Sequence, residues 1–500
     1  MFRIFGPPGT GKTTRLLDMV ERALGEGVPP QKIAFLAFTR KAATEAKERA
    51  AKRFGLDPDD LMYFRTLHSL AYRLLGVRTK DVLGKENMNE LSRHIGMQLS
   101  IRVGSDPDEV DISKMADHPI LSVIHLARLK KTTLRQEYNN SNIPHSWEEV
   151  DFVNRNYNAY KQANMLMDYT DMLEVFVQKA DSICPTFEIA FLDEAQDLSP
   201  LQWDIAHAID KKSNKMYCAG DDDQAIYRWA GADPDYFIDL DCGAEVLETS
   251  YRIPFEVHEL AERITSRIHK RYPKKYTPRA ERGSVSRVST MNQLDMAHGS
   301  WLIMAQANYM LSPITQDLRS MGYLYERNGH RSISDKLTEA VNGWERMRKE
   351  QAVTLHTAQA IYSLMSGNGI RIARGKKTIK APDDELFTLE SLQEHYGLLA
   401  TKDMIWSEAM DKISDMDRAY ITALLRRGEK FNATPRIKLS TIHGTKGGEA
   451  DNVALLTDLS NSAMEGMSDD LHRVFYVGVT RAKQNLFIFE PDDYSRAYDL

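Results

Sequence analysis

FRIFGPPGTGKTTRLLDMV, residues 2–20, decides how the first half of the chain is read. Phe2, Ile4 and Phe5 give a short apolar strand, and Gly6-Pro7-Pro8-Gly9-Thr10-Gly11-Lys12-Thr13 has the G-x-x-x-x-G-K-[ST] spacing of a phosphate loop that opens a helix. Gly6, Gly9 and Gly11 let the backbone turn tightly and aim N–H groups at phosphate, and the helix N-terminus adds a partial positive charge. Lys12 is expected to reach the β and γ phosphates and Thr13 to ligate Mg²⁺, with Thr10 and Thr14 completing the lining of the loop. A glycine-rich turn without a ligand is the alternative. The order strand, loop, helix argues for a nucleoside triphosphate.

The rest of the composition is consistent with a large multidomain chain. Its 500 residues suggest about three or four domains. Net charge is −6, so contacts with nucleic acid have to come from local grooves rather than a global cationic field. Cys184, Cys218 and Cys242 have neither metal spacing nor a disulfide pattern, which fits a reducing cytosol. The start of the chain does not read as a signal peptide, and no apolar run reaches membrane-spanning length. The expected location is therefore cytoplasmic, with no membrane partner.

Further along, residues 32–38 read as a buried strand, with Thr39 capping a helix that has a small-residue face and a basic face. A second apolar stretch, Leu61 to Phe64, leads into Arg65-Thr66-Leu67-His68. Repeated strand-to-helix switches predict a parallel sheet covered by helices, with ligands collecting at its strand ends. From about Val82 to Tyr160 the pattern turns helical, with breaks at Asp106-Pro107-Asp108, His118-Pro119 and Ile143-Pro144. Strand patterns return at 187–192, 215–219 and 245–247, so one nucleotide-binding domain is written around a helical insertion. A second α/β unit is expected from near Thr249, with strands at 285–288, 301–305, 438–442, 453–456 and 486–489. Leu337 to Met365 reads as continuously helical, and about Val341 to Ala433 forms a second insertion.

Several clusters carry chemistry. Asp193-Glu194 ends an apolar strand, where Asp193 would fix Mg²⁺ and Glu194 would orient and deprotonate an attacking water; an ordinary helix cap is the alternative. Gly220-Asp221-Asp222-Asp223-Gln224 follows another strand, so Gln224 is a candidate γ-phosphate sensor, although the same residues suit a solvated turn. Tyr227 and Trp229 offer stacking platforms for bases, or two core side chains. Arg252 and Arg481 are candidates to stabilise a transferring phosphoryl group from a neighbouring domain, against surface salt bridging as the plain alternative. Residues 252–282 hold nine Lys/Arg against four Glu, a local balance of +5 that fits either a phosphate-backbone track or a solvated helix and loop. Arg371, Arg374, Lys376, Lys377 and Lys380 form a weaker second patch.

These blocks, in this order, resemble the superfamily 1A DNA helicases of the UvrD, Rep and PcrA group. Gly6 to Thr13 resembles motif I, and Ala37-Phe38-Thr39-Arg40-Lys41-Ala42-Ala43 resembles the family segment whose Phe and Thr contact single-stranded DNA. Thr66-Leu67-His68-Ser69 is similar to the next DNA-contacting motif, and Asp168 to Leu173 to the segment ahead of Walker B. Asp193 to Asp197 resembles motif II, Gly220 to Ala232 motif III, and Leu247 to Arg252 motif IV, in which Tyr251 would stack on the nucleotide base and Arg252 act as a finger. Thr441 to Glu449 resembles motif V, with Thr441 and His443 approaching DNA and Glu449 holding the ribose. Tyr476 to Ala482 resembles motif VI, with Arg481 as the second finger.

The resemblance implies an α/β fold of two RecA-like P-loop domains in tandem, each interrupted by a mainly helical insertion. The implied division is domain 1A at residues 1–81 and 166–248 around a 1B-like insertion at 82–165, then domain 2A at 249–340 and 434–500 around a reduced 2B-like insertion at 341–433. It implies ATP and Mg²⁺ as cofactors and 3′ to 5′ movement on single-stranded DNA with strand separation, with Phe38, Phe64, His68, Tyr227 and Trp229 beside bases. Single-/double-stranded DNA junctions, and replication, repair or single-strand-binding proteins, are the implied partners. Three features depart from the family pattern. The segment that reads adenine ahead of the phosphate loop is missing, Arg228 stands with Ala230 where the family usually places its motif III arginine at the latter position, and the 2B-like insertion and C-terminus are short. The last feature favours a translocase that remodels protein–DNA complexes with little unwinding. A non-hydrolysing clamp and an RNA-directed enzyme are the remaining alternatives, and the compact form suits a viral or mobile-element replication or repair enzyme.

Overall fold

The structure is a computed structural model that describes residues 1–100, 118–464 and 468–500; the break expected at Asp106 to Asp108 lies outside them. The chain forms two compact units, Met1–Gly283 with Gly466–Thr480, and Ser284–Glu465 with Arg481–Leu500.

The first unit is built on six parallel strands: β1 (Phe2–Phe5), β2 (Ile33–Ala37), β3 (Phe64–Thr66), β4 (Phe187–Leu192), β5 (Ser213–Gly220) and β6 (Ala244–Val246), in the order β3-β2-β4-β5-β1-β6. A parallel sheet covered on both faces needs strands apolar on both sides, and β2, IAFLA, is buried throughout. Its side chains alternate between two cores. Ala34 and Leu36 pack with Leu70, Phe176 and Trp203, while Ile33 and Phe35 pack with Leu16, Ala46 and Phe191. Thr39 and Thr66 cap the helices Arg40–Phe54 and Leu67–Leu74, accepting from the amides of Ala42 at 3.2 Å and Ser69 at 3.1 Å.

The helical insertion follows as the sequence pattern indicates. Lys85–Ile95, Pro119–Leu129, Leu134–Asn140 and Trp147–Ala163 share a small core of their own around Leu91, Ile120, Ile124, Val150 and Tyr157. A buried ionic clasp joins that insertion to the next helix, Tyr169–Ile183. Asp168 caps the helix through the Asp171 amide at 2.7 Å and accepts from Arg128 at 2.9 Å, Lys161 at 2.5 Å and the Tyr157 hydroxyl at 3.0 Å. Arg128 and Lys161 also bind Asp171. Burial disfavours the Asp168 carboxylate, but the surrounding cations outweigh it and hold the group well below the usual carboxylate range.

The second unit carries β7 (Ser284–Val288), β8 (Trp301–Ala305), β9 (Tyr325–Arg327), β10 (His330–Arg331), a short antiparallel pair β11 (Val353–Thr354) and β12 (Leu386–Phe387), then β13 (Ile437–Thr441), β14 (Ala450–Leu456) and β15 (Ala482–Phe489). Its seven-stranded sheet runs β10-β9-β13-β8-β14-β15-β7, parallel except for the β9–β10 hairpin. The fold class read from the sequence holds: two parallel α/β sheets in tandem.

The structure differs from the sequence reading at three places. The second sheet opens at Ser284, whereas the second α/β unit was expected near Thr249; residues 249–283 pack within the first unit. The helix expected across 337–365 is broken, because Glu350 turns at φ +62 and β11 follows before the helix Leu355–Ser363 begins. The segment 341–433 has no separate core, since Trp344, Ile361, Phe387 and Leu424 join one cluster with Leu318 and Leu439 of the sheet layer. Among the described residues no helix is long and apolar enough to cross a membrane.

Removing Asp168 strips Arg128 and Lys161 of their most deeply buried partner, leaving them to Asp171 and Glu174, and takes away the cap of the helix. Asp168→Ala should lower the local opening free energy of Tyr169–Ile183 by about 3–5 kcal/mol, read as amide exchange faster by at least ~100-fold. Because the folded pKa is depressed, this difference should hold above about pH 4 and shrink as pH falls further. Exchange within tenfold of the unaltered chain at pH 7 would contradict the role given to the clasp.

Candidate nucleotide site and nucleic-acid face

Every strand of the first sheet ends on the same edge, so the turns after β1, β2, β3, β4 and β5 gather there: Gly6, Phe38, Leu67, Asp193 and Asp221. The phosphate loop turns through Gly9 at φ +74 and Gly11 at φ +82, a region open to glycine at little cost. A Cβ on Gly6 would stand 2.0 Å from Lys12 Cγ, so the loop is closed around its own lysine. Lys12 Nζ donates to the Gly6 carbonyl at 2.9 Å and lies 4.0 Å from Glu194 Oε1. Thr13 Oγ1 donates to Asp193 Oδ2 at 2.7 Å. One hydroxyl and one carboxylate at this spacing are hard oxygen donors of the kind Mg²⁺ takes. Thr10 is buried and turned inward, donating to the Pro7 carbonyl at 2.7 Å, while Thr14 is exposed.

Glu194, the second residue after β4, sits at φ +55, an uncommon conformation for a residue other than glycine and one often found at functional sites. Burial, with the adjacent Glu194 charge adding to it, pushes Asp193 up to about 6. Glu194 Oε2 accepts from Gln196 Nε2 at 2.6 Å, and Gln196 Oε1 accepts from the Asp221 amide at 2.9 Å. Asp221 Oδ2 in turn accepts from Gln224 Nε2 at 2.7 Å. The strand-end carboxylate pair and the Gly220–Gln224 turn are thus one hydrogen-bonded structure. Gln196, fully buried between them, was not among the residues singled out from the sequence, because nothing in its local pattern marks it as a bridge.

Tyr251 and Arg252 come to the phosphate loop from within the first unit. The Tyr251 amide donates to the Gly9 carbonyl at 2.9 Å and Ser250 Oγ to the Pro8 carbonyl at 2.7 Å. A Cβ on Gly9 would fall 2.3 Å from Arg252 Cβ, so glycine is required here for close approach as well as for φ. Tyr251 is 75% exposed beside this contact. The sequence reading had Arg252 delivered by a neighbouring domain; it belongs to the same unit as Lys12.

Arg481 and Glu449 lie in the second unit, just ahead of β15 and β14, at the amino edge of that sheet. Arg481 is buried and donates to the Gly448 carbonyl at 3.2 Å; Glu449 pairs with Lys483 at 3.2 Å. Thr441, at the carboxyl end of β13, and His443, in the turn that follows, stand at the opposite edge. Residues 442–449 cross the sheet between the two edges.

The residues expected beside DNA divide into two groups. Phe38 stacks on Tyr227 with ring centroids 5.6 Å apart, and Tyr227 meets Trp229 at 6.3 Å, forming an aromatic row whose end, Trp229, is 54% exposed. Thr39 is exposed beside it. Phe64 is placed otherwise, contrary to expectation. It is buried, stacked on Phe35 at 5.3 Å in the sheet core, and could meet a base only by leaving that core. Thr66 spends its hydroxyl on the helix cap, and burial pushes His68 down to about 4, so its ring is neutral at pH 7.

The 252–282 segment is not a bare cationic track. Arg271 pairs with Asp223, Lys270 with Asp235 and Asp239, Lys274 with Asp221, Asp222 and Asp223, and Arg282 with Glu256. Its Tyr272 stacks on Phe5 and its Tyr276 is buried. In the second patch, Lys377 turns inward to the Tyr362 carbonyl at 2.6 Å. Arg228 pairs with Asp233, Asp235 and Asp470.

Comparison with known proteins identifies the family. The UvrD/REP helicase N-terminal domain family matches residues 2–242, and the UvrD-like helicase C-terminal domain family matches residues 150–490. The chain is similar to the putative ATP-dependent DNA helicase YjcD of Bacillus subtilis, 27% identical over 287 residues that cover 53% of this chain and 36% of that protein. It is also similar to the ATP-dependent DNA helicase PcrA of Leuconostoc citreum, 26% identical over 360 residues covering 67% of this chain and 46% of that one. The chain therefore spans less than half the length of these relatives. Among solved structures, an Arterivirus nonstructural protein 10 helicase in complex with DNA aligns over 99% of this chain and 62% of its own, at 12% identity and a TM-score of 0.37, too low to bear on the fold. With the C-terminal domain match alone running from 150 to 490, the chain belongs to the UvrD-like helicase family, the superfamily 1A helicases of UvrD, Rep and PcrA type.

Proposed function

We propose that this chain is an ATP-dependent DNA helicase that moves 3′ to 5′ on single-stranded DNA and separates duplex strands. The observation that carries the reading is the meeting of the phosphate loop with the strand-end carboxylates, in which Thr13 is hydrogen-bonded to Asp193 at 2.7 Å and Lys12 stands beside Glu194. Gly6, Gly9, Thr10, Gly11, Lys12, Thr13 and Thr14 would cradle the phosphates, Tyr251 would stack on the base, and Glu449 would take the ribose. Glu194 would orient and deprotonate the attacking water, and Gln224, Arg252 and Arg481 would meet the charge on the terminal phosphoryl group. Mg²⁺ bound by Thr13 and Asp193 would neutralise charge on the β and γ phosphates.

On the nucleic-acid side, the aromatic row Phe38–Tyr227–Trp229 supports a stacking platform, with Thr39, Thr66, His68, Thr441 and His443 as further contacts. His68, being neutral, would act by hydrogen bonding rather than by charge. The division into domains 1A, 1B and 2A belongs to the same proposal, with the second sheet opening at Ser284 and the 341–433 segment, expected as a reduced 2B, sharing its core. Single-stranded DNA and junctions are the proposed partners, with replication, repair or single-strand-binding proteins, in the cytoplasm of a prokaryotic or infected cell. One observation favours a second reading, a translocase that strips proteins from DNA and unwinds little: the 341–433 segment shares its core with the second sheet and so has no separately cored domain with which to grip duplex.

Three experiments test these readings. Lys12→Ala and Glu194→Gln should each lower DNA-stimulated phosphate release from ATP by at least ~100-fold, and full turnover in either variant would overturn the site. Strand displacement on duplexes with 3′ or 5′ tails should proceed from 3′ tails only; strong hydrolysis without displacement selects the translocase, and displacement from 5′ tails contradicts the polarity. Trp229→Ala should weaken single-stranded DNA binding by about 1–3 kcal/mol in a fluorescence titration, and unchanged affinity would remove the aromatic row from the interface.

A further inference from the structure

The Asp221-Asp222-Asp223 run is buried, with all three carboxylate side chains at most 1% exposed, and the cation that sits among them is Lys274, itself 1% exposed. Its Nζ lies 3.2 Å from Asp221 Oδ1 and 2.9 Å from Asp223 Oδ2, and it is also bonded to Asp222. Arg271 forks onto Asp223 at 2.8 and 2.6 Å. Asp222 takes the Tyr272 amide at 2.8 Å, and its carbonyl takes Arg473 Nε at 3.0 Å. Lys274 also stands over the ring of Phe5, the last residue before the phosphate loop. Three acids and this lysine are far from a solvated turn, and no residue of the sequence reading accounts for the lysine.

Asp221 shows what the lysine is for. Both of its carboxylate oxygens are committed: Oδ1 accepts from the Asp223 amide at 3.3 Å and from Lys274, and Oδ2 accepts from Gln224 Nε2 at 2.7 Å. A charged carboxylate only accepts, so Gln224 turns its NH₂ group toward Asp221 and gives one N–H to Oδ2, with the second N–H of that same group as the donor that a phosphate oxygen can accept from. With Lys274 removed, three packed carboxylates would face one guanidinium and repel one another, and Asp221 Oδ1 would lose the cation that holds it.

We propose that Lys274 is a positioning residue that pins Asp221 and, through it, the side-chain amide of Gln224 in the orientation that meets the terminal phosphate of the nucleotide. The inference rests on the nucleotide reading for what Gln224 faces, but the pinning itself is a property of the folded first unit. Asp221 is bonded to Gln196, which is bonded to Glu194, so the same anchor holds the sensor and the water-activating carboxylate in register. Lys274 is enclosed by the three carboxylates and the Phe5 ring. It acts only through Asp221.

The test has two arms on the full chain. In protein labelled with ¹⁵N at glutamine, the Gln224 side-chain amide pair is assigned by its loss in Gln224→Ala. In Lys274→Met that pair should shift and broaden, and unmoved signals overturn the proposal whether or not the chain hydrolyses ATP. In DNA-stimulated hydrolysis, Lys274→Met should lower kcat at least ~30-fold with KM for ATP within about threefold, a split that a simple loss of folded protein does not give. Added to Gln224→Ala it should cost no more than about a further threefold, because both changes remove one function. Losses that multiply instead would make Lys274 merely structural. Should Lys274→Met not fold, Lys274→Met/Asp222→Asn removes one carboxylate with the cation and is read in the same two arms. A wild-type chain whose hydrolysis is absent or indifferent to Lys12→Ala sinks the nucleotide reading, and the amide signals still decide the role of Lys274.

Discussion

The constraint on which the rest depends is the parallel pairing of β2, β4, β5 and β1. Strands that run the same way must all release the chain at the same edge, so residues separated by up to about two hundred positions arrive together without any contact having to select them. Register sharpens the effect. Phe5 pairs with Gly220, and Leu192 with both Leu36 and Cys218, so the turns that follow begin at nearly one level. From there short side chains suffice: Thr13 reaches Asp193, Gln196 reaches Asp221, and Ser250 reaches the loop carbonyl of Pro8. The second sheet uses the same rule differently. There 442–449 crosses from the carboxyl edge to the amino edge, so the Thr441 and Arg481 groups occupy opposite ends of one sheet.

Charge is buried in this molecule where geometry has to be unambiguous. Asp168 with Arg128 and Lys161, and Asp221 to Asp223 with Lys274 and Arg271, are costly to desolvate and would be replaced by apolar packing if stability were their only use. A hydrocarbon contact tolerates rotation, whereas a carboxylate with both oxygens engaged does not. The first cluster fixes how the helical insertion meets the helix that leads toward β4. The second fixes the turn that carries Gln224.

Much of this was legible in the sequence wherever the signal is local. The apolar run of β2, the glycine spacing of the phosphate loop and the acid pair after β4 each declare themselves within ten residues, and so do five strands of the second sheet, though not the short β9 and β10. What failed to show was whatever depends on a distant partner. Phe64 sits in the same apolar stretch whether its ring faces solvent or Phe35, and its neighbours in sequence cannot say which. The excess of positive charge in 252–282 was real, but the counter-charges of Lys270, Arg271 and Lys274 at Asp221–Asp223, Asp235 and Asp239 stand some thirty to fifty positions earlier, so the sequence could not decide between a phosphate track and a solvated helix and loop. Nor does any local pattern announce that 249–283 packs with the sheet behind it rather than the one ahead. Local motifs named the chemistry, and long-range ion pairs set its aim.

The most direct measurement is a structure of the chain with a non-hydrolysable ATP analogue, Mg²⁺ and a 3′-tailed DNA. The account predicts phosphates on the Gly6–Thr13 loop, the metal at Thr13 and Asp193, the terminal phosphate within hydrogen-bond distance of Lys12, Gln224, Arg252 and Arg481, and bases on Tyr227 or Trp229. Phosphates on the loop with Gln224 and both arginines directed elsewhere, or DNA bound away from that aromatic row, would contradict it.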